Sequence, residues 1–90
     1  MPLEVELVSA DSRVWSGEAR EVIARTTDGD LGVLPGHAPV LAVLAKGEVR
    51  IFTEGREVVA TVEDGFLSIE HNRVTVVSDS AALADGSSAG

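Results

Sequence analysis

The chain has 90 residues, of which 44% are apolar, and it carries a formal net charge of −8 and no cysteine. This length predicts one domain at the small end of what folds alone, and the missing cysteines exclude disulfide bonds and thiolate metal sites. The excess of carboxylates argues against nucleic-acid binding, which requires a basic face. The N-terminus lacks the pattern of a signal peptide, and the longest apolar run, Val40 to Ala45, is far shorter than the ~20 residues of a membrane-spanning helix. We therefore expect a soluble, cytoplasmic chain that reaches a membrane only through a partner.

Alternation of apolar and polar residues with a period of two runs through most of the chain and predicts β-strands with one buried face. β-branched residues are frequent in these stretches, as half-buried strands prefer, and no long window has helical periodicity. The predicted strands are, in chain order, residues 3–7, 14–19, 21–27, 31–34, 40–44, 48–53, 57–62, 66–69 and 74–77.

Short turn-forming pairs separate the strands and set their spacing. Many short strands at this spacing predict an all-β fold, an antiparallel β-sandwich or flattened barrel of about ten strands. With one tryptophan and two phenylalanines, the core must be aliphatic, and we expect Trp15 and Phe66 to be buried in it. The predicted turns are Asp11-Ser12, Ser16-Gly17, Asp28-Gly29, Lys46-Gly47, Glu54-Gly55, Asp64-Gly65 and His71-Asn72.

The last ten residues differ from the rest in composition. Residues 81–90 are small and polar, rich in Gly, Ser and Ala, and hold one large apolar side chain, Leu83. Such a segment buries too little surface to offset its ordering entropy, and four residues, Ala81 to Ala84, are too few for a stable helix. The sequence thus predicts a folded domain over residues 1–80 and a flexible tail over residues 81–90.

Residues 28–39 form the most distinctive segment, with three glycines, two prolines, two aspartates and one histidine. Proline fixes φ and glycine permits positive φ, so the backbone of this segment is specified residue by residue. The pattern predicts a short strand, Leu31 to Leu34, between two stiff turns. Loops of this kind often carry recognition surfaces, but the residues alone leave a purely structural role equally open.

The residue sets needed for catalysis are missing from the sequence. The two histidines, His37 in a Gly-His-Ala-Pro turn and His71 in an exposed turn, have no nucleophile or orienting group beside them. Asp28-Gly29-Asp30 begins like a calcium loop, but its twelfth position is Pro39, which offers no carboxylate. The glycines match no phosphate-binding pattern. We expect no catalytic site, cofactor or metal; a metal- or sugar-binding module using Asp28, Asp30 and His37, and a generic acidic protein-binding sandwich, remain the alternatives.

The segment Gly29 to Leu41 resembles the hallmark of the epsilon subunit of bacterial F-type ATP synthase, called delta in mitochondria. In that family the pattern is Gly, acidic, any, Gly, aliphatic, any, Pro, Gly, His, Ala, Pro and two aliphatics. The similarity extends over residues 3–81. The further matching segments, in order, are Val8-Ser9-Ala10, Val14-Trp15-Ser16-Gly17, Gly47 to Ile51, Asp64 to Ile69 (with Asp64 in place of a Gly) and Asn72 to Ala81.

This resemblance implies a β-sandwich of ten strands and a non-catalytic role at the foot of the central stalk. There the family binds the gamma subunit and the polar loops of the membrane c-ring, as part of the F1 complex, and couples proton-driven rotation of the ring to ATP synthesis. It also implies peripheral membrane association, through the complex, at the cytoplasmic face of the cell membrane.

The resemblance carries over to individual positions as well. Asp28, Gly29, Asp30 and Leu31 are expected to face the c-ring. The residues expected near the gamma subunit are Ser9, His37, Ala38 and Pro39. Family members usually continue into two C-terminal helices that inhibit ATP hydrolysis or bind ATP, and this chain ends without them. We therefore expect neither nucleotide binding nor helix-mediated inhibition.

Overall fold

A computed structural model describes residues 2–84, and these residues form nine β-strands and no helix, so the predicted all-β fold is confirmed. Apolar residues at every second position place one side of each strand in the core, which is the pattern that a half-buried strand requires. The strands are β1 (Leu3–Ser9), β2 (Arg13–Ala19), β3 (Glu21–Thr26), β4 (Gly29–Val33), β5 (Val40–Thr53), β6 (Arg56–Val62), β7 (Gly65–Glu70), β8 (Arg73–Ser78) and β9 (Ala81–Leu83).

One continuous hydrogen-bonded sheet curls into two layers that share the long strand β5. The first layer has the order β2-β1-β8-β7 followed by Val40 to Leu44 of β5. The second layer contains β4 and β3, the remainder of β5, then β6 and β9. This is the predicted sandwich, with one difference: β1 and β8 run parallel, so the sheet is mixed rather than purely antiparallel.

The core between the layers is aliphatic, as the composition predicts. Trp15 is the one aromatic side chain among the buried apolar residues of the described chain, and it is 7% exposed, so its role as a core anchor is confirmed. The largest fully buried side chains are Leu3, Leu7, Val22, Val33, Val49, Ile51, Val58, Val62, Leu67, Ile69, Val74 and Val76.

Two predicted turns are wrong because the glycines in them lie inside continuous strands. Lys46-Gly47 lies inside β5, which continues as one strand of 14 residues, and Ser16-Gly17 lies inside β2. A Cβ at position 47 would lie 3.4 Å from Cδ of Arg25, and a Cβ at position 17 would lie 2.9 Å from the Trp15 ring. Gly17 therefore leaves room for the Trp15 ring, whereas a Cβ at position 47 would make ordinary contact with Arg25.

The predicted burial of Phe66 is also wrong. Its side chain is 49% exposed, whereas its neighbours along β7, Leu67 and Ile69, are buried. Gly65 begins β7 in close contact with the backbone of Val77 and Ser78, which fixes the register of β7. Because side chains alternate between the two sides of a strand, this register turns Phe66 outward.

The folded part extends beyond the boundary that the sequence indicates at residue 80. Ala81–Leu83 form β9, which pairs with β6, and the N–H of Ala84 donates to the carbonyl of Val59 (2.8 Å). The edge of β6 offers unpaired backbone groups, and Leu83 packs against the core, so three residues suffice for a strand here although their composition is that of a tail. The rest of the predicted tail, residues 85–90, lies outside the described residues.

Candidate protein-docking surfaces

The β3–β4 hairpin holds its tip in one conformation through Thr26. The buried Oγ1 of Thr26 donates to the carbonyl of Gly29 (2.7 Å) and accepts from the N–H of Asp28 (3.1 Å). Gly29 has φ of +118°, a region that favours glycine. At the tip, the N–H of Thr27 donates to the carbonyl of Val43 (3.0 Å) in the first layer. The hairpin therefore presents its exposed tip as a rigid feature.

Asp30 projects its carboxylate from the outer face of this hairpin. The side chain is 64% exposed, and its Oδ1 lies 3.3 Å from Nε of Arg25, its partner across the hairpin. An ion pair this exposed contributes only about 0–1 kcal/mol, so a cation on a partner competes with Arg25 at little cost. Asp28 and Gly29 are exposed too, whereas Leu31 is half-buried and packs against the core. Three of the four predicted ring-side residues are thus displayed, and Leu31 supports them from inside.

The segment between β4 and β5 is fixed at both ends. Gly36 has φ of +89°, and the N–H of His37 closes the turn on the carbonyl of Leu34 (3.1 Å). Nδ1 of His37 lies 2.7 Å from the carbonyl oxygen of Ala38, so Nδ1 is the donor nitrogen. The half-buried His37 ring thus caps the backbone, while Ala38 and Pro39 are exposed.

Asn72 joins this segment to the rest of the first layer, a contact that sequence reasoning did not find. Its Oδ1 accepts from the N–H of Gly36 (2.7 Å), and its backbone carbonyl accepts from the N–H of Glu4 (2.7 Å). His71 and Asn72 have φ of 51° and 61°, as the predicted two-residue hairpin turn requires, and His71 is exposed as expected. Asn at a positive-φ turn was a readable signal, but its contact with Gly36, 36 residues away, was not.

The outer face of the first layer carries a row of apolar side chains that we call the apolar row. Val43, Phe66, Val77 and Val8 are register partners on four neighbouring strands, β5, β7, β8 and β1. Val43 and Phe66 are 58% and 49% exposed, and Leu41 beside them is 74% exposed. Val8 and Val77 are half-buried, so Val43, Phe66 and Leu41 supply most of the exposed apolar surface. Contiguous exposed apolar surface is typical of protein–protein contact sites.

The residues predicted to lie near gamma occur at opposite ends of the first layer. Ser9 pairs with Ser78, the last residue of β8, whereas His37 belongs to the segment held by Asn72, just before the first residue of β8. A strand of that length spans roughly 20 Å. The structure does not bring Ser9 and His37 together; they lie at the two ends of the first layer, and Ser9 shares the side of β1 that carries the buried Leu7 rather than the side that carries Val8.

The geometry around the histidines offers little to a metal ion. His37 and His71 line the same open surface depression of about 560 Å³, together with Glu4 and Asn72. Within residues 2–84, however, no three His, Cys, Asp or Glu side chains converge as a metal site requires. The metal-binding alternative has no supporting arrangement in this part of the chain. The same residues contain no helix long and apolar enough to span a membrane.

The described chain is thus a small β-sandwich with an acidic hairpin tip and exposed apolar side chains on one outer face. The family model described as the beta-sandwich domain of the ATP synthase Delta/Epsilon chain matches residues 2–84. The chain therefore belongs to the delta/epsilon chain family of ATP synthase, as the hallmark segment indicates. It is a non-catalytic accessory subunit of a complex that associates peripherally with a membrane.

Curated relatives share about half of their residues with this chain. It is 54% identical over 84 residues to the ATP synthase epsilon chain of Frankia casuarinae, covering 92% of this chain and 99% of that one. It is 48% identical over 88 residues to the epsilon chain of Micrococcus luteus, covering 97% of each. The match to the epsilon chain of Streptomyces avermitilis is 55% over 84 residues, covering 92% of this chain and 68% of that one.

Solved structures share the fold at lower identity. One chain of the Euglena gracilis mitochondrial ATP synthase, in a structure of OSCP, F1 and c-ring, has a TM-score of 0.86 and 22% identity, over 91% of this chain and 53% of that one. A chain of the Tetrahymena thermophila mitochondrial ATP synthase, in a structure of the central stalk and c-ring, has a TM-score of 0.76 and 15% identity, over 90% and 66% of the two chains. These likenesses support the sandwich assignment.

Proposed function

We propose that this chain is the central-stalk joint that couples c-ring rotation to ATP synthesis, at the cytoplasmic face of the membrane. The gamma subunit docks on the outer face of the first layer, and the polar loops of the c-ring meet the tip of the β3–β4 hairpin. The apolar row is the observation that carries this proposal, and Ser9 and His37, both expected near gamma, lie at the two ends of the layer whose outer face displays the row.

Docking of gamma on the apolar row buries apolar side chains that are exposed in the isolated chain. Phe66 is the largest exposed apolar side chain of the described residues and lies between Val43 and Val77. Aromatic side chains near the centre of an interface carry a large share of the binding energy. A joint that transmits torque needs an interface on the order of 2,000 Å² or more in total, so contact extends from the row to Ser9 and to the His37 segment.

The hairpin tip has the charge that a cationic ring loop requires. Asp28 and Asp30 are exposed beside each other at the tip, on a chain with a net charge of −8. Charge complementarity of this kind contributes to orientation and association rate more than to affinity. The rigid tip therefore sets the position of the chain relative to the ring, while the apolar row holds it on gamma.

The gamma contact is tested by replacing each of the two phenylalanines, one at a time, with threonine. Phe66 lies on the outer face of the first layer and Phe52 on the outer face of the second, so Phe52→Thr is a matched control for Phe66→Thr. Threonine keeps strand propensity, so both variants fold. On size exclusion with purified gamma, we expect wild type and Phe52→Thr to co-elute and Phe66→Thr to bind at least tenfold more weakly. Co-elution of all three alike would contradict the assignment of gamma to this face.

The ring contact is tested at Asp30. Because its ion pair with Arg25 is exposed, Asp30→Ala changes the free energy of unfolding by less than about 1 kcal/mol. We expect this variant to bind gamma normally but to associate more slowly with a complex containing gamma and the c-ring, whereas Glu54→Ala, an exposed carboxylate at the opposite end of the second layer, does not. If Asp30→Ala unfolds the domain, the residue is structural and the ring assignment is wrong.

A further inference from the structure

Gly32 stands apart from the other glycines of the described chain because neither backbone conformation nor packing calls for it. Its φ is outside the positive region, and no atom lies within 4 Å of the position that a Cβ would take. The glycines with positive φ are Gly29, Gly36 and Gly55. The glycines whose Cβ would press on a neighbouring residue are Gly17 and Gly65. At Gly47 a Cβ would make ordinary contact with the side chain of Arg25, whereas at Gly32 it would meet open space.

A glycine in a regular strand weakens it, because the backbone loses more entropy on folding and no side chain packs. Such glycines occur at bulges, at tight bends, or where another backbone approaches closely. The register of β3 with β4 is regular from Val22↔Val33 to Thr26↔Gly29, so Gly32 serves no bulge. The remaining reason is the approach of another molecule.

The position of Gly32 is accessible to such a partner. β4 is an edge strand that pairs, among the described strands, with β3 alone. Val33 is buried and Leu31 is turned toward the core, so Gly32 and Asp30 share the outer face. They lie two residues apart, roughly 7 Å along the strand. Ile23 is the register partner of Gly32. Because Gly32 has no side chain, the side of Ile23 that faces β4 is left uncovered.

We propose that the main chain of an extended, cationic partner segment lies across Gly32 and places its positive side chain on the carboxylate of Asp30. A side chain at position 32 would occupy the space that this main chain needs, and Asp30 supplies the complementary charge on the same face. This inference rests on the proposed function, in which the segment is a polar loop of the c-ring. It adds that the loop reaches past the hairpin tip onto the outer face of β4.

The test compares Gly32→Val with Ala82→Val. Ala82 is exposed on the same outer face of the second layer, but in the opposite edge strand, β9. For the isolated domain, we expect both variants to have a melting temperature equal to or above that of wild type, because open space surrounds position 32 and valine favours strands. We expect all three proteins to bind purified gamma equally. For ATP synthase depleted of its epsilon chain, with the c-ring present, we expect Gly32→Val to bind at least tenfold more weakly than wild type and Ala82→Val.

Each other outcome overturns the inference. If Gly32→Val binds the ring-containing complex as wild type does, no main chain lies across Gly32, and the proposed function stands without it. If Gly32→Val fails to fold, the glycine serves the domain itself. If wild type binds neither gamma nor the ring-containing complex, the proposed function fails, and this inference fails with it.

Discussion

Ser78 is the buried polar residue on which two turns of the molecule converge. It is 2% exposed, and its Oγ accepts the N–H of Glu63 (3.2 Å) and of Ser80 (3.3 Å). The carbonyls of Ser80 (2.8 Å), Asp64 (3.2 Å) and Glu63 surround the same hydroxyl, whose single proton is donated to one of them at a time. One side chain therefore joins the β6–β7 connection to the β8–β9 connection.

Removing this hydroxyl tests that role. Ser78→Ala removes a buried hydroxyl that both donates and accepts, while the N–H of Glu63 keeps the carbonyl of Ser80 as an acceptor (3.0 Å). We therefore expect the free energy of unfolding to fall by about 1 kcal/mol. The matched control is Ser80→Ala, which removes an exposed hydroxyl but keeps the backbone groups that Ser78 contacts. We expect this variant to change the free energy of unfolding by no more than about 0.5 kcal/mol. Urea unfolding of both variants gives the comparison, and equal midpoints for the two would show that the network contributes nothing.

At the scale of single elements, the sequence predicts the strands well where local alternation decides them. Eight of the nine strands overlap a predicted stretch, and the turn at His71-Asn72 is confirmed. The continuity of β5 was not predictable, because Lys46-Gly47 looks like a turn and only the pairing of β5 with β3 and β6 keeps the strand extended there. Strand β9 was not predicted either. It forms because it pairs with the edge of β6, and the composition of residues 81–83 gives no sign of that pairing.

The candidate site divides in the same way. The hallmark segment indicated the exposed aspartates, Asp28 and Asp30, and the stiff turn at His37, since those features are local. The apolar row was not predictable, because its members come from four strands far apart in the chain and only the register aligns them. Phe66 shows this most clearly, since local pattern placed it in the core and the register turns it outward.

Leu83 tests whether β9 belongs to the folded domain. Its half-buried side chain packs against the core, so Leu83→Ala should lower the free energy of unfolding by about 1 kcal/mol, roughly half the value of a fully buried leucine. The same change at the exposed Leu41 should have almost no effect on stability. Thermal or urea unfolding measures both. If Leu83→Ala lowers the free energy of unfolding no more than Leu41→Ala does, residues 81–83 do not belong to the folded domain.

At the scale of the whole molecule, the two layers present different outer faces. The outer face of the second layer is charged where Arg50 lies between Glu48 and Glu57, at 3.1 Å from each. The outer face of the first layer holds the apolar row and Leu41 at one end and the ion pairs Glu6–Arg13 (2.9 Å) and Glu4–Arg73 (3.5 Å) toward the other. Both outer faces therefore carry ion pairs, and the feature that sets the first layer apart is its exposed apolar side chains at Leu41, Val43 and Phe66. A face of this kind suits a subunit that binds through one side.

The most direct test of that central claim uses the absence of cysteine from the chain, since a single introduced cysteine reports on one position only. Leu41→Cys places a thiol on the outer face of the first layer, and Thr61→Cys places one at an exposed position on the outer face of the second. The measurement is the rate of maleimide labelling with and without bound gamma. The account predicts that gamma slows labelling of Leu41→Cys at least tenfold and leaves Thr61→Cys unchanged. Protection of Thr61→Cys with free labelling of Leu41→Cys would contradict it, because gamma would then dock on the second layer.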